Sequence, residues 1–294
     1  MLLDDGAEVT GYDLETEGVL KTAGLVGEFP VQPGDIMDLN AMKQAVSGHK
    51  VVIHLAAYSG VEHARKLGYE AWRVNAFGTL NVLEACHSTK GLESVLVSTT
   101  NHLYGNAPSL PTAENAPLLQ LDTYSAAKLA ADVMTRSYAH NYGLPATVIR
   151  NTNCYGPNDP HSDHIVPGTI LSVLGNECPV IRGTGDTYKS YLYVDDVSEA
   201  YMAITQWAME SQNKGEAFNV STAPITVRDL VDSILHVMDS GLKPFVVGKV
   251  TDGANEQLDC TKISQLTSWK PRHTLEEGLM RTVQGFVERS LSVH

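Results

Sequence analysis

The chain holds four cysteines in 294 residues, at 86, 154, 178 and 260, and no C-x-x-C pair. This scatter gives no zinc or dithiol redox motif and reads as reduced structural thiols rather than disulfides. Basic residues are also scarce. The 21 Lys and Arg face 34 Asp and Glu, a net charge of −13 that argues against nucleic acid and anionic membrane surfaces as partners. A phosphorylated ligand stays open, because a few local cations can hold one. No apolar run approaches the roughly 20 residues that a membrane helix needs, and no charged-then-apolar leader is visible, so the sequence reads as cytoplasmic. One further absence matters for function. The opening MLLDDGAEVTGYDLE reads as a short strand ending in an acid, Asp13. An acid in that place commonly holds the ribose of a dinucleotide, about 20 residues after a glycine-rich phosphate loop. Only twelve residues precede Asp13, and none form that loop.

What is present is an alternation of strands and helices. Strands are expected at residues 9–12, 30–36 (interrupted by Pro33), 50–57, 94–99 and 146–150. Residues 50–57, KVVIHLAA, form a continuous apolar run, the pattern of a parallel strand covered on both faces. Helices are expected at 39–46, 69–86 and 123–142. The order argues a doubly wound parallel α/β sheet. After Tyr155 a turn-rich stretch, GPNDP, opens a region of shorter elements. Strands are expected at 179–182 and 190–194, and helices at 166–174, 195–209, 227–238 and 275–289. The expected organisation is a main domain over 1–155 and a smaller α/β lobe over 156–294, some of whose strands return to the main sheet. No internal repeat or low-complexity tract interrupts it.

The chemistry concentrates at Tyr124-Ser125-Ala126-Ala127-Lys128. The i, i+4 spacing puts Tyr124 and Lys128 on one helical face. An ammonium beside a phenol favours the phenolate and lowers a pKa ordinarily near about 10. Such a tyrosine can take the proton of a substrate hydroxyl while hydride leaves the same carbon. Alone, Y-x-x-x-K is a weak signal, because an exposed tyrosine and a surface lysine produce it too. About twenty residues upstream, however, a strand runs into Thr100-Asn101-His102-Leu103-Tyr104-Gly105. The carboxyl end of a parallel strand is where ligands bind in such sheets.

In these segments the chain resembles the extended short-chain dehydrogenases that modify nucleotide sugars, the NAD-dependent epimerase/dehydratase family. The resemblance covers nearly the whole chain: HLAA at 54–57, VNAFGTLNVLEAC at 74–86, STTNHLYG at 98–105, RNTNCYGPND at 150–159, IVPGTI at 165–170, VIRGTGDTYKSYLYVDDV at 180–197, FNV at 218–220 and EQLDCTKISQLTSWKPR at 256–272. The last three look most like CDP-glucose 4,6-dehydratases. The resemblance implies a Rossmann-like sheet whose first strand, glycine loop and most of whose first helix would lie upstream of Met1. Residues 2–6 would then end that first helix. It also implies NAD as cofactor, a nucleoside-diphosphate sugar as substrate, and a homodimer through the two long helices.

Residue by residue, the resemblance implies that Asp13 binds the adenosine ribose and that Asp35 and Ile36 contact adenine, although Asp35 could equally cap a helix. Leu55, Ala56, Ala57 and Tyr58 would line the cofactor channel. Thr100 would hold the sugar 4-hydroxyl, with Thr99 as the other register. Tyr124 would be the base, and Lys128 would tune it and hold the nicotinamide ribose. Asn101 and His102 stand where dehydratases carry their acid and base. His102 could act at C5, but Asn101 has no titratable proton, which leaves 4-epimerisation open beside 4,6-dehydration. Asn153, Arg182 and Lys189, with His164 possible, would contact the diphosphate, and Gln257 stands where many epimerases carry a second arginine. A cofactor-free binding protein remains the alternative of another class. No metal is expected, because the chemistry needs none and His161-x-x-His164 has no evident third ligand.

Overall fold

The computed structural model describes residues 2–16, 18, 27–59, 64, 66–119, 122–211, 215–248 and 254–292. Its centre is a parallel sheet of four strands in the order β3-β4-β5-β9. These are β3 (Val51–His54), β4 (Ser94–Thr100), β5 (Ala146–Asn151) and β9 (Ala217–Val220). Two earlier strands, β1 (Gly11–Asp13) and β2 (Val31–Pro33), pair in parallel with each other as a separate two-stranded sheet.

Helices cover both faces of the main sheet, which makes the fold doubly wound. Val95 and Val97 of β4 pack into a core with α1 (Leu39–Val46), α2 (residues 68–87) and α3 (Thr123–Tyr142). Leu96, pointing the other way, packs with Ile149 and Phe218 against α5 (Val194–Glu210) and α7 (Thr261–Thr267). This alternation is why an unbroken apolar strand such as SVLVSTT is stable here: each face has its own layer of helix. The helix α2 starts at Gly68–Trp72, passes through a π-helical segment at Arg73–Gly78 and continues as Thr79–His87. A π segment is often tied to function, and this one carries the buried Asn75.

A buried ion pair locks α3 to β5. Arg150 and Asp132 have side chains 1% and 0% exposed. The guanidinium donates from Nε and Nη2 to the two carboxylate oxygens at 2.8 and 3.1 Å. It also donates from Nη1 to the Tyr104 hydroxyl at 2.8 Å, and that hydroxyl donates to Asn219 Oδ1 at 2.7 Å. The fork geometry satisfies both charges, which a buried pair requires.

The remaining elements build a second packing unit. β6 (Asn153–Tyr155), β8 (Tyr188–Tyr193) and β10 (Pro224–Thr226) form one small sheet, and β7 (Val180–Ile181) pairs with β11 (Phe245–Val246). Tyr155, Ile170, Leu230 and Phe286 join α4 (Ile165–Leu174), α6 (Val227–Val237) and α8 (Leu275–Ser292) in its core. β9 lies between β8 and β10 in the chain, inside this stretch, yet completes the main sheet.

The first eighty residues depart most from the sequence expectations. Residues 2–6 form a turn, not a helix end, with Gly6 at φ 77°. The first strand pairs from Gly11, not from residue 9, because its only ladder is to β2. The third strand stops at His54, and Leu55–Ala57 leave the sheet as a partly exposed loop. Val51, Val52 and Ile53 are only half-buried. The cause is a groove of about 530 Å³ between β1 and β3, lined by Gly11, Tyr12, Val51, Ile53 and Leu55 among others. Among the described residues no strand bonds β1 to β3.

Candidate active site

The carboxyl end of β4 meets the amino end of α3. Asp122 caps α3, its carboxylate accepting from the Ser125 N–H at 3.0 Å, and the next turn presents Tyr124 and Lys128. The two line a cavity of about 490 Å³ together with Ser98, Thr100, Asn101 and His102. Thr100 is buried, and its hydroxyl oxygen accepts from the His102 N–H at 3.2 Å, closing the turn that carries Asn101 and His102. The Thr99 hydroxyl donates to the Ile149 carbonyl at 3.1 Å. Both threonines line the cavity, and the Thr99 hydroxyl is the one bonded to β5.

The electrostatics differ from the expected lysine-lowered tyrosine. Burial, with help from Asp122, pushes the Tyr124 phenol up to about 12. Burial pulls the Lys128 ammonium down to about 8. Lys128 Nζ donates to the Ser98 carbonyl at 3.1 Å. Its charge is felt instead by His54, which burial and Lys128 hold neutral, down to about 3. Desolvation, not the cation one turn away, sets the direction of the Tyr124 shift here.

Glu256 is the functional group the sequence reading passed over. It comes from 155 positions beyond Asn101 and accepts from that amide's Nδ2 at 2.7 Å. Its other oxygen lies 3.5 Å from His102 Nδ1 and pairs with the Lys189 ammonium. The His102 ring in turn stands edge-on to Tyr124, with centroids 6.5 Å apart. The only sequence signal was its place beside Gln257 in EQLDC. Lys189 lines the neighbouring cavity, and its ammonium pairs with Glu256 and donates to the Ala254 carbonyl at 2.9 Å. Gln257 does not line the described cavities; its backbone carbonyl instead accepts from the Thr112 N–H at 2.8 Å.

A second cavity of about 560 Å³ adjoins the first, and the two share His102, Asn153, His164 and Arg182. Arg182 is exposed there. Asn153 Nδ2 donates to the Ser190 carbonyl at 3.2 Å. His164 Nδ1 lies 3.0 Å from Asp159 Oδ2, and that hydrogen bond raises the imidazole's pKa.

Toward β1, Leu55 lines both the groove and the catalytic cavity, Ala56 faces the groove, and Ala57 the cavity. Asn75 fixes this loop: its Oδ1 accepts from the Tyr58 N–H at 2.7 Å, and its Nδ2 donates to the Tyr58 carbonyl at 3.1 Å. The clamp ties the loop between the two cavities to the π-helical segment of α2. Asp13 lies exposed at the end of β1, its carboxylate accepting from the Glu15 N–H at 3.0 Å. Asp35 does not cap α1. Asp38 does, while Asp35 accepts from the Met37 N–H at 2.9 Å and faces Arg73 at 3.7 Å. Ile36 is buried in the core against α2, where a Cβ at Gly78 would strike it at 2.4 Å. The described residues therefore fit the two ends of a dinucleotide: carboxylates near β1, and a loop of small residues leading to Tyr124 and Lys128. A helix N-terminus or glycine turn to hold the pyrophosphate between them is absent among the described residues.

Comparison with known proteins agrees with this layout. The family model described as "NAD dependent epimerase/dehydratase family" matches residues 1–221. The UDP-glucose 4-epimerase of Mycolicibacterium smegmatis is 30% identical over 98% of this chain and 94% of its own length. The dTDP-glucose 4,6-dehydratase of Shigella flexneri is 30% identical over 88% of this chain and 79% of its own. The crystal structure of the Thermotoga maritima UDP-glucose 4-epimerase with UDP-glucose superposes with a TM-score of 0.88 at 28% identity, covering 98% of this chain and 93% of that one. The chain spans only 39% of the length of a trifunctional UDP-glucose 4,6-dehydratase of Arabidopsis thaliana to which it is 28% identical. These relatives are enzymes of one NAD-dependent class, and both 4-epimerases and 4,6-dehydratases occur among them. The chain belongs to the NAD-dependent epimerase/dehydratase family.

Proposed function

We propose that this chain modifies a nucleoside-diphosphate hexose by transient oxidation at C4. The observation that carries the reading is the convergence of Thr100, Tyr124 and Lys128 at one end of a cavity whose rim holds Arg182 and Asn153. Thr100 and Tyr124 hydrogen-bond the 4-hydroxyl, and Tyr124 takes its proton as the carbonyl forms. Lys128 binds the nicotinamide ribose and supplies the charge that the phenolate needs. Arg182 and Asn153 hold the diphosphate, with His164 at the rim. NAD, when bound, accepts the C4 hydride and later returns it.

The fuller reading is 4,6-dehydration. The new C4 carbonyl acidifies the C5 proton; His102, oriented by Glu256, would remove it and hand it to the departing C6 hydroxyl, which leaves as water, and hydride and a solvent proton would then add at C6 and C5. The pairing of His102 with Glu256 beside Tyr124 supports this outcome. Asn101 supports the second reading, 4-epimerisation. It has no proton to give, its amide is committed to Glu256, and an epimerase needs no acid at C6. A third reading, of another class, is a binding protein that does no chemistry. CDP-, dTDP-, UDP- and GDP-hexoses, each supplied with NAD, separate the three. A 4-keto-6-deoxy product supports dehydration, and a 4-epimer without 4-keto sugar overturns it in favour of the epimerase. Sugar binding with neither product supports the third. For assembly, the exposed Tyr69 and Phe77 on α2 and Val133 on α3 support a homodimer through these helices, and a monomer in sedimentation contradicts it.

A further inference from the structure

The loop between β6 and α4 gathers a donor set of which only His164, at the diphosphate rim, figures in the chemistry above. His161, Asp163 and His164 offer ligand atoms that all lie within 4.8 Å of one another. The local fold makes this possible. The His164 N–H donates to the His161 carbonyl at 3.0 Å, a tight turn that brings both imidazoles to one side. Their rings stand 4.9 Å apart, inclined by 34°.

Asp159 stands behind the pair and organises both. One of its oxygens accepts from the His161 N–H at 3.0 Å, and the other lies 3.0 Å from His164 Nδ1. A carboxylate on one ring nitrogen is the outer-shell partner that fixes a ligating histidine and directs its other nitrogen at the ion. The sequence offered two ligands, i and i+3. The fold adds a third and an orienting carboxylate.

We propose that His161, Asp163 and His164 form a binding site for a divalent ion of the zinc class. Two imidazoles and a carboxylate suit Zn²⁺ or Co²⁺; Mg²⁺ and Ca²⁺ prefer all-oxygen shells. Three protein ligands leave a fourth tetrahedral position for water or an oxyanion. Asp163 and His164 also line both cavities beside Arg182. An ion here adds positive charge to a rim where Lys189 is paired with Glu256. This last consequence rests on the proposed nucleotide-sugar function; ion binding itself does not.

The test is calorimetric titration of chelator-stripped protein with ZnCl₂, and the visible ligand-field spectrum after adding Co²⁺. One tight ion per chain is expected, with a tetrahedral spectrum lacking a thiolate charge-transfer band. His161→Ala and His164→Ala each weaken binding by at least about tenfold, and Asp159→Asn weakens it about tenfold through the outer shell. Cys154→Ser/Cys178→Ser leaves it unchanged, which excludes the two exposed thiols. Circular dichroism checks that each variant is folded. The proposal is overturned if no saturable Zn²⁺ binding occurs, if binding survives the double substitution His161→Ala/His164→Ala, or if it disappears with the thiols.

Discussion

The two ends of the cofactor path are built to different standards. At the catalytic end, every polar group named above has a partner or faces the cavity, and Arg150–Asp132 ties the helix bearing Tyr124 to the central sheet. At the β1 end, a two-stranded ribbon stands apart from that sheet across an apolar groove. The difference teaches where recognition resides. Under the proposed function proton transfer demands fixed atoms, and Thr100, Tyr124 and Lys128 lie on a strand end and a helix start beside the packed core. Asp13, by contrast, is an exposed carboxylate whose nearest bond is to its own turn.

The sharpest break in this comparison is Tyr124→Phe. It should lower turnover by about 10² to 10⁴, the usual worth of a positioned acid–base group, with sugar affinity unchanged by calorimetry. Asp132→Ala comes next. Stranding the buried Arg150 guanidinium should cost about 3–5 kcal/mol in denaturant unfolding. Glu256→Gln leaves Lys189, 16% exposed, without its partner and His102 without its carboxylate. About 1–3 kcal/mol of stability should be lost, together with most dehydration product.

His54 gives a smaller and pH-dependent effect. It is 6% exposed, and its folded pKa near about 3 lies below its unfolded 6.5. Between those values the unfolded chain binds more protons, so this contribution is complete above 6.5 and is lost as pH falls toward 3. Acid unfolding curves should show a loss on the order of a few kcal/mol across that window, flattened in His54→Asn. Asp13→Asn should have the smallest effect, a few-fold loss of NAD affinity with no change in melting, because the carboxylate is exposed.

Much of the fold was legible because periodicity and caps are local. The helices over 39–46 and 123–142 form at their expected limits, where Asp38 and Asp122 close the first turns. Thr100, Tyr124 and Lys128 were legible as a constellation because a strand end and the next helix start must meet. What failed was long-range or collective. Glu256 reaches Asn101 from 155 positions away. Its pairing with Lys189 is equally long-range, and the raised Tyr124 phenol follows from burial that no motif records. The run at 50–57 read as fully covered, yet Val51–Ile53 stay half-buried because burial depends on which strands flank it. The third donor of the His161 cluster was in plain sequence view, but only the turn shows that Asp163 points the same way.

The account's central claim is oxidation and re-reduction within one site. It is tested most directly with a nucleotide hexose carrying deuterium at C4, incubated with this chain and NAD, and product analysis by mass spectrometry and NMR. The account predicts that the deuterium stays in the product, at C6 after dehydration or at C4 after epimerisation. Deuterium released to water during turnover, or no turnover while sugar and NAD are both bound, would contradict it.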